Sequence, residues 1–445
     1  MSSDMISIAA SGTRAAQAAL DITSQNIANA STTGYVRRSV NQTELSSKST
    51  SSSAGDISQN GVLVTGIARN VDAFQQSEVR RTNSDATRAD TLVTGLTTVS
   101  DAVDNSGVYS AITSYQTAVS NLTATPTDSS LRANVVASAT TMAQSFNVAS
   151  TSLASAQSGL QQSASSGVTQ VNQLAKSLAQ LNLQISSDTD PLNDNATLLD
   201  QRDSILQQMS SYGDITTTIA ANNVVKVQMG GASGPTLVGT DGTSSTLAMA
   251  TASDGTVSFT LGGSALTLSG GSLAGQQQTL TSAATAKTSL DGIANSLMTA
   301  VNTNQTSGVD LTGATGTAMF TGTGAGDMAV ALTSGSQLAT APSGSAAGSQ
   351  VATNLTSLQS SLSTTDIAGQ TNSLLFSLSS AVAGNTTTRD TLDTISTNAQ
   401  TTLSSQSGVT LDTEAANLVR YQQAYQASGK VIQVAQTLFN QILAL

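Results

Sequence analysis

Cysteine, histidine and tryptophan do not occur anywhere in this sequence of 445 residues. Without cysteine and histidine the chain cannot form a Ser-His-Asp triad, a cysteine nucleophile, a zinc finger or a disulfide bond. Aromatic residues make up 3% of the chain and charged residues 10%, whereas serine and threonine together number 133. The sequence therefore predicts a weakly charged, polar chain without a cofactor, long enough for about three domains.

Positive charge is also scarce, and the negative charge is concentrated in the middle of the chain. The net charge is −11; residues 89–410 carry six basic and eighteen acidic groups, and the two end segments are nearly neutral. Phosphate binding needs clustered lysine and arginine, so we expect no nucleic-acid partner. No basic cluster precedes an apolar run and no uncharged stretch is apolar enough for hydrocarbon, which predicts neither a secretory signal nor membrane insertion.

The first thirty residues have the periodicity of an amphipathic helix. Small and apolar residues recur at steps of three or four, which places them on one face. They are Ile6, Ala9, Thr13, Ala16, Leu20, Thr23, Ile27 and Ala30. Their small size would permit the close approach of a second helix. Residues 31–35 then interrupt the pattern, and Gly34 suits a positive φ.

The C-terminal segment carries a heptad repeat that runs to the end of the chain. Its first seam consists of Leu411, Leu418, Tyr425, Ile432 and Phe439. The positions three residues later are Glu414, Tyr421, Ser428, Ala435 and Ile442. Such spacing predicts a coiled-coil helix, with Asp412 as its N-cap. Seams that extend almost to the chain ends favour an assembly surface over the core of a monomer.

The middle of the chain combines long helices with a short β-rich region. Apolar residues keep a helical period over 135–185, and further helices are predicted at 195–209, 280–302 and 351–405. Alternating residues at 225–229, 257–261 and 266–268, with turn residues between them, predict an antiparallel module over 213–275. We expect a short strand at 62–68 and loops at 46–61 and 304–349.

Four short motifs invite a functional interpretation that their context does not support. Gly322, Gly324 and Gly326 lack the rest of a dinucleotide fingerprint, and residues 188–195 lack the glycine and glutamate of a calcium loop. Gly429-Lys430 lacks the first glycine of a phosphate loop. We interpret Asp200, Arg202 and Asp203 as an exposed set of ion pairs on a helix. The sequence thus predicts no catalytic, metal-binding or cofactor-binding residue.

Both ends and the centre of the chain resemble one known family. The N-terminal motif reads Ala28-Asn29-Ala30-Ser31-Thr32-Thr33-Gly34-Tyr35. This motif and the segment 407–432 resemble the bacterial flagellar axial proteins. Residues 198–206 and 307–313 resemble signatures of one branch, the hook-associated protein 1 family at the junction of hook and filament.

This resemblance implies a structural protein of the flagellum. The implied fold is mainly α with an inserted small β domain. Coiled-coil helices from residues 1–66 and 406–445 would line the inner tube, a helical bundle of 67–212 and 276–405 would form the middle, and 213–275 would face outward. The implied partners are further copies in a helical ring, hook protein, the second junction protein and a cytoplasmic export chaperone at the C-terminal helix. The chain would be secreted through the flagellar type III channel.

Three alternatives fit these residues less well. Hook and distal-rod proteins are mostly β outside their terminal helices, unlike residues 135–185. A secreted coiled-coil adhesin would need a secretory signal and usually an anchoring β segment. An inserted metalloprotease would need histidine; the residue counts leave a glycosidase carboxylate pair open, although the only glutamates are Glu44, Glu78 and Glu414.

Overall fold

A computed structural model describes residues 2–32, 34–45, 61–187 and 195–443. Residues 46–60, which belong to the expected loop at 46–61, lie outside the described residues. So do residues 188–194 of the calcium-like segment and Thr33 of the N-terminal motif. Within the described part of the chain, no helix is both long enough and apolar enough to cross a membrane.

Helices form most of the described structure, and the longest has 59 residues. In chain order they are α1 (Ser2–Ala28), α2 (Ala73–Asp104), α3 (Val108–Ala124), α4 (Ser129–Ser187), α5 (Ala196–Tyr212), α6 (Gly271–Ser307), α7 (Thr353–Thr365), α8 (Ile367–Ser407) and α9 (Leu411–Leu443). At a rise of 1.5 Å per residue, α4 is about 90 Å long. Helices α2, α3, α5 and α6 pack along it, whereas α8 packs mainly on α2 and α7 mainly on α6.

Strands occur in short antiparallel groups between these helices. They are β1 (Arg38–Glu44), β2 (Val62–Arg69), β3 (Ile215–Ile219), β4 (Val225–Met229), β5 (Thr236–Val238), β6 (Leu247–Thr251), β7 (Val257–Leu261), β8 (Ser264–Leu266), β9 (Gly308–Val309), β10 (Phe320–Thr321), β11 (Ala329–Val330) and β12 (Ala341–Pro342). The expected fold class, mainly α with an inserted small β domain between paired terminal helices, is confirmed.

The inserted β region consists of one sheet ordered β3-β4-β5 and another ordered β6-β7-β8. Gly262 and Gly263 both have positive φ and join β7 to β8, as a two-residue hairpin turn requires. The buried faces of both sheets pack on α4, α5 and the start of α6 in one apolar cluster. Helix α6 begins at Gly271, so residues 271–275 of the expected β module are helical. The exact domain boundaries stay a prediction.

A second apolar cluster joins the other half of α4 to α3, α6, α7 and the start of α8. Residues 304–349, expected to be a loop, contribute to it: Met319, Phe320 and Met328 are buried there. The sequence did not predict α2 and α3, whose apolar positions are diluted by threonine and serine. It also missed the break at Asp366, where a left-handed residue separates α7 from α8.

Helix asparagines hold several strand segments in place. Asn182 of α4 accepts from the N–H of Val225 and donates to its carbonyl, at 3.0 and 2.8 Å. Asn172 binds Leu247 and Asn302 binds Phe320 in the same two-bond arrangement. Each amide thus replaces a neighbouring strand and satisfies backbone groups that would otherwise be buried without partners.

Arg132 of α4 binds backbone carbonyls of the segment between β9 and α7. Its side chain is fully buried and donates to the carbonyls of Pro126, Gly335 and Leu338, at 2.9, 3.1 and 2.7 Å. Burial lowers the pKa of this guanidinium, and nearby Asp310 offsets part of that effect. The charge is therefore held mainly by carbonyl dipoles, which fix the path of the chain around them.

Replacing Arg132 with methionine should lower the free energy of unfolding by about 2–3 kcal/mol, because buried carbonyls lose charged hydrogen-bond donors. Urea unfolding would measure the loss, and limited proteolysis should show new cleavage within 310–345. Arg81→Met is the matched control, since Arg81 is exposed and forms surface ion pairs. Equal losses in the two variants would contradict this account.

Candidate assembly interface

The two terminal helices pack against each other as an antiparallel pair. Asn26 lies opposite Glu414, with a hydrogen bond of 3.1 Å, and Gly12 lies opposite Ser428. A Cβ atom added to Gly12 would lie 3.1 Å from the Ser428 hydroxyl, so the helices approach closely at this point. Gly12 lies beside the predicted seam, of which Ala9 and Ala16 are buried together with Ala15 and Ala19.

The predicted seam residues differ in their solvent exposure. Ala9 and Ala16 are buried. Those that are partly buried are Ile6, Leu20, Ile27, Leu418, Tyr421 and Ile432. Those that are exposed are Leu411, Tyr425 and Phe439. The side chain of Ile442 lies outside the described residues. Their contact with another copy of the chain stays a prediction.

The seam that α9 turns toward α1 is the second heptad series, which contains Glu414 and Ala435, both 1% exposed. The first series therefore lies at the edge of the pair. Three members of the first series are exposed, and so are Val419, Val431, Val434 and Leu438. Val431, Val434 and Leu438 are spaced three and four residues apart and so share one side of α9, called its outer face. Met5 and Ile8 of α1 are also exposed. Several exposed large apolar side chains on one pair of helices are typical of an interaction site.

The family motif lies where α1 ends. Ala28 is exposed on the last turn, and Asn29 donates to the carbonyl of Gln25 at 3.0 Å. Gly34 has φ of 81°, which favours glycine. Tyr35 is partly buried and its hydroxyl donates to Asn26 at 2.9 Å. The motif thus turns the chain back from α1 into β1.

Asn26 is the polar centre of this turn. Its Oδ1 accepts from the N–H of Arg38 at 3.0 Å, and its Nδ2 donates to the Arg38 carbonyl at 2.9 Å. The same Nδ2 donates to Glu414, and Oδ1 also accepts from Tyr35. This side-chain amide is 1% exposed, and its two donors and two acceptor positions are all hydrogen-bonded. It therefore links α1, β1 and α9.

Glu414 is the corresponding group on α9. Its Oε1 accepts from Nε of Arg37 at 2.7 Å, and its Oε2 accepts from Asn26. The main chain of the same segment is also tied, because Arg37 donates its N–H to the carbonyl of Ser407 at 2.9 Å. The end of α8, the start of α9 and the hairpin β1–β2 are therefore joined at one place.

A network of ion pairs continues from the hairpin to α5. Asp200 accepts from Arg38 at 2.8 Å and from Arg69 at 2.6 Å, and Arg69 also reaches Asp203 at 2.8 Å. Asp203 further accepts from Arg202 at 2.8 Å and from Gln76 of α2 at 3.0 Å. This network attaches the terminal pair to the helical middle of the molecule.

The sequence interpretation of these charges as an exposed helical set is wrong. The side chains of Asp200, Arg202 and Asp203 are 15%, 4% and 11% exposed. Burial by itself would raise the pKa of Asp203, but Arg202 and Arg69 outweigh it and hold that pKa below its usual value. The partners come from β1 and β2, more than 130 residues away in sequence, so local spacing could not reveal them.

The assignment of Asp412 as the N-cap of α9 is also wrong. The helix begins at Leu411, and the N–H of Glu414 donates to the carbonyl of Thr410. Asp412 and Glu414 lie in the first turn, where negative charge complements the helix dipole. The sequence also missed Asn26, Arg37 and Arg38 as joining residues, because Asn26 lies one position away from the predicted seam of α1.

Replacing Asn26 with alanine should lower the free energy of unfolding by about 1–3 kcal/mol, because Glu414 and the Arg38 backbone lose a buried partner. Chemical denaturation would measure the change. Asn29→Ala is the control just after the same helix, since the side chain of Asn29 bonds locally, to the carbonyl of Gln25 and to the hydroxyl of Thr32. If both variants lose the same stability, Asn26 has no special role in the turn.

Comparison with family models identifies three segments of the chain. Residues 93–320 match the flagellar hook-associated protein FlgK helical domain. Residues 6–35 match the flagella basal body rod protein, and residues 399–445 match the flagellar basal body rod FlgEFG protein C-terminal region. The last two matches coincide with α1 and α9, the two helices that pair.

Relatives with curated names match about half of the chain. Flagellar hook-associated protein 1 of Bacillus subtilis is 33% identical over 211 residues, which are 45% of this chain and 41% of that protein. The protein of the same name from Salmonella typhimurium is 29% identical over 243 residues, 53% of this chain and 42% of that one. The matched region thus spans about two fifths of these relatives' length.

A solved structure shows the same fold. The flagellar hook junction protein FlgK from Burkholderia pseudomallei superposes with a TM-score of 0.50 at 24% identity, covering 55% of this chain and 46% of that one. The helical-domain match alone covers more than half of the sequence. The chain therefore belongs to the flagellar hook-associated protein FlgK family.

Proposed function

We propose that this chain is a structural component of the bacterial flagellum that forms the junction ring joining hook to filament, without catalysis. The observation that carries the proposal is the antiparallel pair α1–α9, whose solvent-facing surface exposes large apolar side chains of both helices. Such a face is stabilised when neighbouring copies cover it, as in a helical tube. The match to the helical domain of the family supports the junction over other parts of the axis.

The partners follow from that role. Further copies of the chain would pack beside the terminal pair, with hook protein on one side of the ring and the second junction protein on the other. Before assembly, the C-terminal helix would bind an export chaperone in the cytoplasm, because its exposed apolar side chains are otherwise open to aggregation. The chain would then pass unfolded through the type III channel and fold outside the cell.

Deleting the gene should leave cells with hooks and without filaments. Electron microscopy of the mutant would show this directly, and the wild-type gene should restore filaments. Normal filaments in the deletion strain would contradict the proposal. Loss of the hooks themselves would instead support the alternative, a hook or distal-rod protein. A secreted coiled-coil adhesin would leave the flagellum unchanged and reduce attachment.

A further inference from the structure

Helix α9 carries two heptad series that differ in composition. The first series is apolar or aromatic at every position: Leu411, Leu418, Tyr425, Ile432 and Phe439. The second series includes a glutamate and two small residues: Glu414, Tyr421, Ser428, Ala435 and Ile442. In a two-stranded coiled coil both series face the partner helix. They lie about 60° apart around the helix, since each residue turns it by about 100°.

The structure buries the less apolar of the two series. Glu414 and Ala435 of the second series are each 1% exposed. Leu411, Tyr425 and Phe439 of the first series are 55%, 42% and 46% exposed. Because apolar burial stabilises in proportion to the area removed from water, it would by itself turn the first series toward α1. Another interaction therefore sets the rotation of α9.

Glu414 is bound both to α1 and to the turn that follows α1. Its Oε1 accepts from Nε of Arg37 at 2.7 Å, and its Oε2 accepts from Nδ2 of Asn26 at 3.1 Å. With the first series turned toward α1, an apolar side chain would lie opposite Asn26. One donor of this 1% exposed amide would then lose its partner. A single buried polar contact can fix the register and orientation of paired helices at a cost in stability.

The close approach of the two helices depends on the same rotation. A Cβ atom added to Gly12 would lie 3.1 Å from Oγ of Ser428 and 4.0 Å from its Cβ. A large side chain such as Tyr425 in the place of Ser428 would force the helices apart at this point. Packing of small residues therefore permits the observed rotation, whereas the hydrogen bonds of Glu414 are directional and select it.

We propose that the buried contact of Glu414 with Asn26 and Arg37 determines the rotation of α9 on α1, and thereby keeps the apolar first series at the surface of the molecule. The pair thus buries less apolar area than its sequence allows and has one defined arrangement. In the proposed ring, the exposed first series would be available to neighbouring copies, a consequence that rests on the proposed function. The rotation itself is a property of the single chain.

Disulfide formation between introduced cysteines measures this rotation, because the chain has no cysteine of its own. Gly12→Cys with Ser428→Cys reports the observed rotation, since a Cβ–Cβ separation of 4.0 Å suits a disulfide. Gly12→Cys with Tyr425→Cys reports the rotated pair, in which the first series faces α1. Both purified chains are oxidised mildly in dilute solution, so that the bond forms within one chain and shifts its gel mobility. We expect the first pair to close at least about tenfold faster than the second.

Glu414→Leu removes the polar contact from both reporter chains. The ratio of the two closing rates should then fall at least about tenfold, the factor that one buried charged hydrogen bond contributes to an equilibrium. Asp412→Leu is the matched control, because it removes the same charge from an exposed position on the same turn of α9. The control should keep the ratio. Because the ratio compares two pairs in the same background, it reports the rotation and not the overall stability.

Should Glu414→Leu fail to fold, Arg37→Met replaces it, since the Arg37 side chain is 33% exposed and lies outside both helices. The buried carboxylate then loses its cation and is stabilised by turning toward solvent, so the ratio should fall in the same direction. The proposal is overturned if the folded variant keeps the ratio of the unchanged chain, because small residues alone would then set the rotation.

Two other results also overturn it: an equal fall of the ratio in Asp412→Leu, or equal closing rates for the two pairs in the otherwise unchanged chain. The measurement uses the isolated chain and needs no flagellum. Its failure is therefore distinct from the failure of the junction role, which the gene deletion tests.

Discussion

Replacing Asp200 with asparagine should lower the free energy of unfolding by about 3–5 kcal/mol. Asp200 accepts from Arg38 and Arg69, whose side chains are each 8% exposed. Removing the charge of Asp200 leaves two buried guanidinium groups with one carboxylate fewer, and removing one partner is the costly way to break a buried pair. Urea unfolding followed by circular dichroism would measure the loss.

The site of proteolytic cleavage distinguishes this effect from a general loss of stability. The network attaches β1–β2 and the terminal pair to α5, so cleavage by a protease should appear first near residues 37–72. Asp85→Asn is the matched control, because Asp85 pairs with exposed Arg81 and should lose less than about 1 kcal/mol. A loss of that small size in Asp200→Asn would show that the network does not hold the two parts together.

Replacing Val434 and Leu438 together with aspartate should abolish swimming and leave the stability of the isolated chain nearly unchanged. Both residues are exposed on the outer face of α9, at 55% and 45%. In a ring, the added charges of many copies would be crowded together with little water to screen them. Motility in soft agar and electron microscopy would measure the effect. The secreted chain in the culture medium separates failed assembly from failed export.

The matched control adds the same charge to the inserted β region. Thr218 and Ser264 are exposed there, and aspartate at both positions should leave swimming intact because salt screens charges that face water. The seam pair Leu418 and Ile432 is less informative, since both are already partly buried in the isolated chain. If both double variants swim, or if both fail, the outer face of α9 has no specific assembly role.

Local patterns in the sequence were sufficient to predict the longest helix and the main strands of the inserted β region. The apolar period over 135–185 predicts a continuous helix, and α4 covers that range. Alternation at 225–229 and 257–261 predicts strands, which are β4 and β7. These patterns succeed because burial of one face is repeated many times along an element. They failed for α2, whose seam is interrupted by buried Thr82 and Ser84.

The sequence by itself determined the helical character, the β insertion, the neutral ends and the resemblance to flagellar proteins. Only the tertiary structure decided which heptad series faces α1, and that Asp200 and Asp203 are buried against arginines from β1 and β2. It also decided that Arg80, on a helix that the sequence did not predict, is buried. The reason is physical: periodicity reports burial along one element, whereas charge pairing depends on distances between segments far apart in the chain.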